Sequence, residues 1–237
     1  MDDALEPVDG VVAADEHGEV TMLDFAERVK TAHQSTSSTL VIGLAPRLDQ
    51  LPYPIQQYDE PFLPYGRAII EATHDIVCGY AFHLGAYLAL GAAGAIALER
   101  TLAIVPASNL KLLHGPFVNV DYVRASYEDA LNADAVTLAT LDQAVITAYL
   151  QQPAHGVFVY TTNASESERN LLRAMQNEQV GSYQTAGEAY NTLILADATL
   201  PTLHWQWDKP ILAARGYDFR DRVRTAALQA RQAPTPP

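Results

Sequence analysis

The chain has 237 residues, of which 49% are hydrophobic and 18% charged, so it can bury one large core and is not of the disordered class. Its formal net charge is −13, and lysine occurs only at positions 30, 111 and 209, which argues against nucleic acid as a partner. The single cysteine, Cys78, excludes an internal disulfide and any metal site built from several cysteines. Because Cys78 lies in an apolar run, we expect a buried, unreactive thiol.

Both ends of the chain have the composition of tails. Residues 1–20 are acidic and aperiodic, which predicts a flexible tail, and the proline-rich residues 231–237 predict a disordered one. A single domain is expected over residues 21–230. The start lacks the basic and apolar regions of a signal peptide, so a cytoplasmic location is the expectation. The long apolar stretch over 79–98 is interrupted by His83 and by small residues, which favours a strand, a turn and a helix over a membrane span.

Between these tails, strand-like runs alternate with helix-like segments. Short β-branched and apolar runs predict strands over residues 38–46, 76–82, 109–115, 133–139, 156–162 and 191–197. Apolar residues at helical spacing predict helices over residues 21–34, 61–75, 91–106, 121–132, 141–152 and 165–180. Thr21 is the expected N-cap of the first helix, and acidic residues in the first turn of the last one suit the helix dipole.

This alternation is typical of an α/β protein with a parallel sheet. We count about six strand–helix units up to Asp197, whereas a closed (β/α)₈ barrel of the TIM type needs eight strands. The stretch after Asp197 therefore has to supply the last two units in shortened form, or the barrel is incomplete.

Several long segments, in the same order, resemble the orotidine 5′-monophosphate decarboxylases of the long bacterial type. These segments are LVIGLAPRLDQLP from Leu40, the run from Arg67 to Pro106, NADAVTL from Asn132 and HGVFVYTTN from His155. The similarity extends over residues 39–163, more than half of the chain. It implies a (β/α)₈ barrel that dimerises and a cofactor-free loss of CO₂ from orotidylate.

The resemblance also implies a catalytic array of alternating lysines and aspartates, and this chain departs from it. The matching positions are Ala45 after the first strand, Ala81 after the second, and His114, Pro116 and Asn119 after the third. Asp121 could replace Asn119 after a shift of two residues, but no lysine lies between His114 and Tyr127. The array is therefore expected to be lost.

Other positions remain candidates for ligand binding. His83, His114 and Asn119 follow predicted strands at the end where barrel active sites gather. Thr162 and Asn163 resemble a Thr-Ser-Asn stretch of the family, and Lys209 lies near the position of a phosphate-binding arginine. The region before Lys209 contains no glycine, so a glycine-rich phosphate loop is not visible.

Three further features have alternative interpretations. His83, His114 and a carboxylate are a conceivable metal site, but their spacing carries no known signature, so no metal is expected. The adjacent His74 and Asp75 are read as a helix end rather than a site. The HWQW segment, residues 204–207, is read as core or interface filling rather than a base-stacking surface.

The leading hypothesis is a non-catalytic homologue, a pseudoenzyme without cofactor, that acts in binding or assembly. It would form a homodimer or pair with a partner protein, and it would retain at most a nucleotide such as UMP or OMP as ligand. The rival hypotheses are a decarboxylase with weak or rebuilt activity and a nucleotide-binding module.

Overall fold

A computed structural model describes residues 12–14, 20–117, 119–127, 130–175, 178–186, 190–195, 198–207 and 215–232. Ten strands lie in these ranges, and the first two, β1 and β2, form a small antiparallel pair. The strands are β1 (Val12–Ala14), β2 (Val20–Met22), β3 (Leu40–Leu44), β4 (Gly79–His83), β5 (Leu110–Phe117), β6 (Ala135–Leu138), β7 (Gly156–Tyr160), β8 (Val180–Ala186), β9 (Tyr190–Leu195) and β10 (Leu203–Trp207).

The strands β3 to β10 form a closed barrel, as the sequence predicted. Strands β3 to β8 follow one another as parallel neighbours, and β10 closes the barrel by pairing in parallel with β3. β9 departs from the all-parallel pattern, since it runs antiparallel to both β8 and β10. Only residues 187–189 separate β8 from β9, too few for the crossover helix that a parallel pair requires. The expected shortening of the last two units therefore takes the form of a hairpin, and the barrel is not incomplete.

Two of the eight barrel strands were not predicted. β8 begins at Val180, the last residue of the predicted helix, and continues over residues that had no predicted element. β10 contains the HWQW segment, which was expected to fill the core or an interface. β9 corresponds to the predicted strand over 191–197, but its direction is reversed. β8 contains the polar residues Ser182, Gln184 and Thr185, so it lacks the apolar run from which the other strands were predicted.

Eight α-helices lie in the described ranges, and most follow the predicted segments. They are α1 (Phe25–Thr36), α2 (Phe62–Thr73), α3 (Leu84–Leu88), α4 (Ala92–Ala103), α5 (Val123–Ser126), α6 (Gln143–Tyr149), α7 (Glu166–Ala174) and α8 (Phe219–Gln232). The helix predicted over 121–132 was too long, because only a 3₁₀ turn and the single turn of α5 form there. Thr21 lies in β2 and is not the N-cap of α1; the Asp24 carboxylate caps it by accepting from the Glu27 N–H at 2.8 Å. None of the described helices is long and apolar enough to cross a membrane.

Two apolar clusters build the core. The outer cluster packs strand residues against α2, α4, α6 and α8, and the inner cluster joins inward-facing residues from all eight barrel strands with α1. Phe25 of α1 meets Phe158 edge to face at 6.1 Å inside the barrel, so α1 closes the amino ends of the strands. Cys78 is buried as predicted, and burial raises the pKa of its thiol to about 12.

Most of the two expected tails, residues 1–20 and 231–237, lies outside the described residues. Within those bounds, Val12–Ala14 and Val20 belong to the β1–β2 pair, and Arg231 and Gln232 end α8. The proposed domain limits at 21 and 230 stay a prediction.

Candidate functional site

The carboxyl ends of the parallel strands meet at one mouth of the barrel, where catalytic residues lie in barrels of this type. Two of the positions that match the family array carry alanine. Ala45 directly follows β3 and is half-buried, and Ala81 in β4 is fully buried among the inner cluster. Neither side chain offers a charge or a hydrogen bond.

His114 reaches into the interior from β5. Its Nδ1 lies 2.8 Å from the Thr137 hydroxyl of β6. Its ring centroid lies 4.8 Å from that of Trp205 on β10 and 5.9 Å from that of Tyr183 on β8, both edge to face. Rings from β5, β8 and β10 can meet only across the barrel interior, so they fill its centre below the mouth.

His83 and Tyr160 extend the cluster toward the mouth. The His83 ring meets the His114 ring edge to face with centroids 5.2 Å apart, and the rings of Tyr160 and Tyr183 lie 5.0 Å apart. His83 Nδ1 accepts a hydrogen bond from the Ala86 N–H at 3.1 Å and so caps α3. We call His83, His114, Tyr160, Tyr183 and Trp205 the ring cluster.

The ring cluster carries no charge at neutral pH. Burial and, to a smaller extent, the neighbouring His83 lower the pKa of His114 to about 3. Burial also lowers the pKa of His83, and it raises the pKa of Tyr183 to about 12. Both imidazoles and the phenol are therefore neutral, and together with Thr137 they offer hydrogen bonds and aromatic faces.

The remaining predicted site residues lie on the rim or beyond the described part of the chain. Asn119 is exposed, and its amide donates to the Asp121 carboxylate at 2.9 Å. The Thr162 hydroxyl accepts from the Thr185 N–H at 2.9 Å, and Thr162 and Asn163 are exposed after β7. The backbone of Pro116 belongs to β5, while its side chain and the whole of Lys209 lie outside the described residues.

Sequence reasoning missed four residues of this site. Thr137 and Tyr160 lie near the carboxyl ends of two predicted strands, so the criterion that identified His114 could have found them. Tyr183 and Trp205 lie on β8 and β10, which were not predicted, so no sequence signal placed them here. In the part of the chain that the structure describes, no three histidine, cysteine or acidic side chains group as a metal site would require.

Comparison with known proteins adds to this geometry. An orotidine 5′-phosphate decarboxylase of Thermomicrobium roseum is 35% identical over 153 residues, which are 62% of this chain and 54% of that protein. The enzyme of the same name from Herpetosiphon aurantiacus is 36% identical over 119 residues, 48% of this chain and 45% of that protein. The chain thus spans about half the length of these two relatives. A Roseiflexus sp. relative of the same name is 26% identical over 235 residues, 83% of its length.

Solved structures agree on the fold. The Leishmania donovani OMP decarboxylase superposes with a TM-score of 0.59 at 18% identity, covering 89% of this chain and 96% of that one. A Streptomyces avermitilis protein, solved as a candidate for the same activity, gives a TM-score of 0.63 at 15% identity over 90% of this chain and 95% of that one. No protein-family model matches. The closed barrel, the shared segments and these relatives agree, so the chain is similar in sequence and in fold to orotidine 5′-phosphate decarboxylases.

Proposed function

We propose that this chain is a non-catalytic homologue of orotidine 5′-phosphate decarboxylases that acts in binding or assembly. The observation that carries the proposal is the ring cluster: where the resemblance implies a charged array, β4, β5, β8 and β10 each contribute a neutral ring to the interior. Loss of CO₂ from orotidylate leaves a carbanion, and its stabilisation requires a fixed cation in a dry site. A neutral imidazole and an indole do not supply that charge.

The placement of lysine supports the same conclusion. Lys30 lies on α1 at the opposite end of the barrel, where its Nζ pairs with Glu27 at 2.9 Å. Lys111 precedes Leu112 on β5, so its side chain faces away from the interior side that Leu112 and His114 share. Its backbone N–H donates to Asp134, which directly precedes β6 at the amino end. Among the described residues, therefore, no lysine lies at the carboxyl-end mouth.

In the binding role, the ligand would be a nucleotide such as UMP or OMP. In the assembly role, the chain would form a homodimer or a complex with a partner protein. The hydroxyl of Thr162 is already bonded to the backbone of Thr185, and Asn163 is exposed beside it. These residues give the nucleotide-binding hypothesis a specific test site on the rim, separate from the ring cluster.

The decisive experiment measures CO₂ release from orotidylate by the purified chain, with the Thermomicrobium roseum relative as positive control. We expect no rate above the uncatalysed background, because none of the described residues places a lysine at the mouth. A rate above background that disappears in a His114→Leu/Thr137→Val variant would establish the rival reading, a rebuilt decarboxylase. A rate that survives in this variant and stays with the chain through a second purification step would also contradict the proposal.

Calorimetric titration with orotidylate and with uridylate then separates the remaining roles. Binding of either nucleotide that is lost in a Thr162→Val/Asn163→Ala variant would support the nucleotide-binding module. If neither nucleotide binds, sedimentation of the chain alone would show whether a homodimer forms.

A further inference from the structure

The segment between β3 and α2 forms a cavity of its own outside the barrel. Its volume is about 270 Å³. It is lined by Leu48, Leu51, Gln56, Tyr58, Asp59 and Pro61, none of which belongs to a strand or to the ring cluster. This volume lies just below the roughly 300–1,000 Å³ typical of sites for drug-sized ligands, so it suits a single side chain. We call it the 48–61 cavity.

The 48–61 cavity is held open by local hydrogen bonds. The Gln56 side-chain amide donates to the Leu51 carbonyl at 2.6 Å, and the Tyr58 N–H donates to the Ile55 carbonyl at 3.2 Å. The Tyr53 N–H donates to the Arg215 carbonyl at 2.9 Å, which ties the segment to the residues before α8. Leu51 and Ile55 are buried beneath the segment. A pre-formed wall lowers the entropic cost of binding.

The lining combines apolar surface, an aromatic ring and a carboxylate. Leu48 and Tyr58 are 51% and 57% exposed, so both are accessible to a partner. Beside them Asp59 is exposed and forms no ion pair with any other described residue. Asp49, by contrast, is held by Arg47 at 3.3 Å. The lining therefore combines the Tyr58 side chain with the Asp59 carboxylate, which no described cation pairs with.

We propose that the 48–61 cavity binds an arginine side chain of a basic segment in a partner protein. A guanidinium can stack on the Tyr58 ring while it donates to the Asp59 carboxylate, and its aliphatic stem can cover Leu48. The planar, two-pronged guanidinium suits this pair of neighbours better than a lysine ammonium does. The net charge of −13 favours a basic partner and opposes a second copy of this chain at an acidic surface.

This inference specifies a partner chemistry for the binding role proposed above, and it rests on different residues. The cavity shares none of its lining with the barrel mouth, so the proposal would stand even if the chain released CO₂. Conversely, a failure of arginine binding would leave the result of the decarboxylation assay unchanged.

The test titrates the full chain with the peptide acetyl-Gly-Arg-Gly-Arg-Gly-amide and follows backbone amide NMR signals. The matched control peptide carries citrulline, which has nearly the shape of arginine without its charge. We expect saturable shifts confined to residues 48–61, with binding of the citrulline peptide weaker by about tenfold. The absence of saturable binding, or equal binding of the two peptides, would overturn the proposal.

Substitutions in the protein test whether the arginine peptide binds at the 48–61 cavity. Asp59→Asn and Tyr58→Leu should each weaken the arginine peptide by roughly fivefold. The controls are Glu99→Gln on α4, which removes an exposed carboxylate elsewhere, and Tyr122→Leu, whose ring is 51% exposed. Both controls should leave the affinity unchanged. If Glu99→Gln weakens binding as much as Asp59→Asn, the attraction is a general effect of net charge and the proposal fails.

Discussion

The two ends of the barrel are closed in opposite ways. At the amino end, Arg28 of α1 and Asp134 before β6 form an ion pair of 2.8 Å, with side chains only 9% and 13% exposed. Arg28 also donates to the Ala107 carbonyl at 2.7 Å, and Asp134 also accepts from the Lys111 N–H at 2.7 Å. At the carboxyl end, the ring cluster closes the interior with neutral groups.

This difference shows that the barrel can bury charge. At the amino end the buried guanidinium and carboxylate are offset by each other and by backbone groups, which is the condition under which buried ions are tolerated. The neutral interior at the carboxyl end therefore reflects the residues at positions 45, 81 and 114, not a limit of the fold. Substitutions at each end measure how much stability it contributes.

The largest effect is expected from Trp205, which is 1% exposed and touches the rings of His114 and Tyr183. Trp205→Ala should lower the free energy of unfolding by about 4 kcal/mol, because it removes a buried ring and leaves a cavity. Urea denaturation at pH 7 measures this change, and Trp205→Phe, which keeps a ring, should lose less than half as much. A loss below about 1 kcal/mol for the alanine variant would mean that the ring cluster does not support the barrel.

At the amino end, Asp134→Ala should lower the free energy of unfolding by about 3 kcal/mol, because it leaves the Arg28 guanidinium buried without its carboxylate. The control is Glu27→Ala, which breaks the exposed pair with Lys30 and should cost less than about 1 kcal/mol. Denaturation of both variants in urea gives the comparison. Equal losses would show that the amino end is solvated rather than sealed by α1.

The ring cluster should also make stability depend on pH. The pKa of His114 in the folded chain is about 3, below its usual 6.5, so between these values only the unfolded state binds the proton. Stability is full above pH 6.5 and falls as the pH drops through this window; the lowered pKa values of His83 and His204 act in the same direction.

Between pH 6 and 4.5 we expect His114 to account for a loss of about 2 kcal/mol. Urea denaturation of the wild type and of His114→Gln across this interval isolates its share. The variant should show a flatter dependence on pH, whatever its stability at pH 7. An unchanged slope would contradict a neutral, buried imidazole.

The sequence predicted the secondary structure of some parts of the chain better than that of others. From β3 to β7 the strands are short apolar runs with amphipathic helices between them, and there the periodicity placed every strand. In the β8–β9 hairpin, Ser182, Gln184 and Thr185 carry no such period, because no crossover helix packs on the outer face. Neither the reversal of β9 nor the role of Trp205 follows from local pattern, since both depend on closure with β3.

The same limit applies to the site. The strand ends identified His83 and His114, because a parallel sheet brings such ends together. The contacts of His114 with Tyr183 and Trp205 could not be predicted, since those residues are 69 and 91 positions away in strands that local pattern did not reveal. The buried pair of Arg28 and Asp134 was missed for a similar reason: 106 residues separate its partners.

The smallest effect is expected from an exposed ion pair on α2 and α8. Asp75, read from the sequence as part of a helix end, follows α2, and its carboxylate accepts two hydrogen bonds from Arg224, at 2.6 and 2.7 Å. The Arg224 hydrogen bonds lower the pKa of Asp75 below its usual 3.8, so the pair stabilises the fold above that pH and its contribution is lost as acid protonates the carboxylate. Because both side chains are more than a third exposed, Asp75→Asn should cost only about 0.5 kcal/mol at pH 7 and nothing at pH 2. Glu71→Gln, which removes the longer 3.3 Å contact to Arg220, is the matched control and should cost less. A loss for Asp75→Asn as large as that for Asp134→Ala would mean that exposure does not distinguish the ion pairs of this barrel.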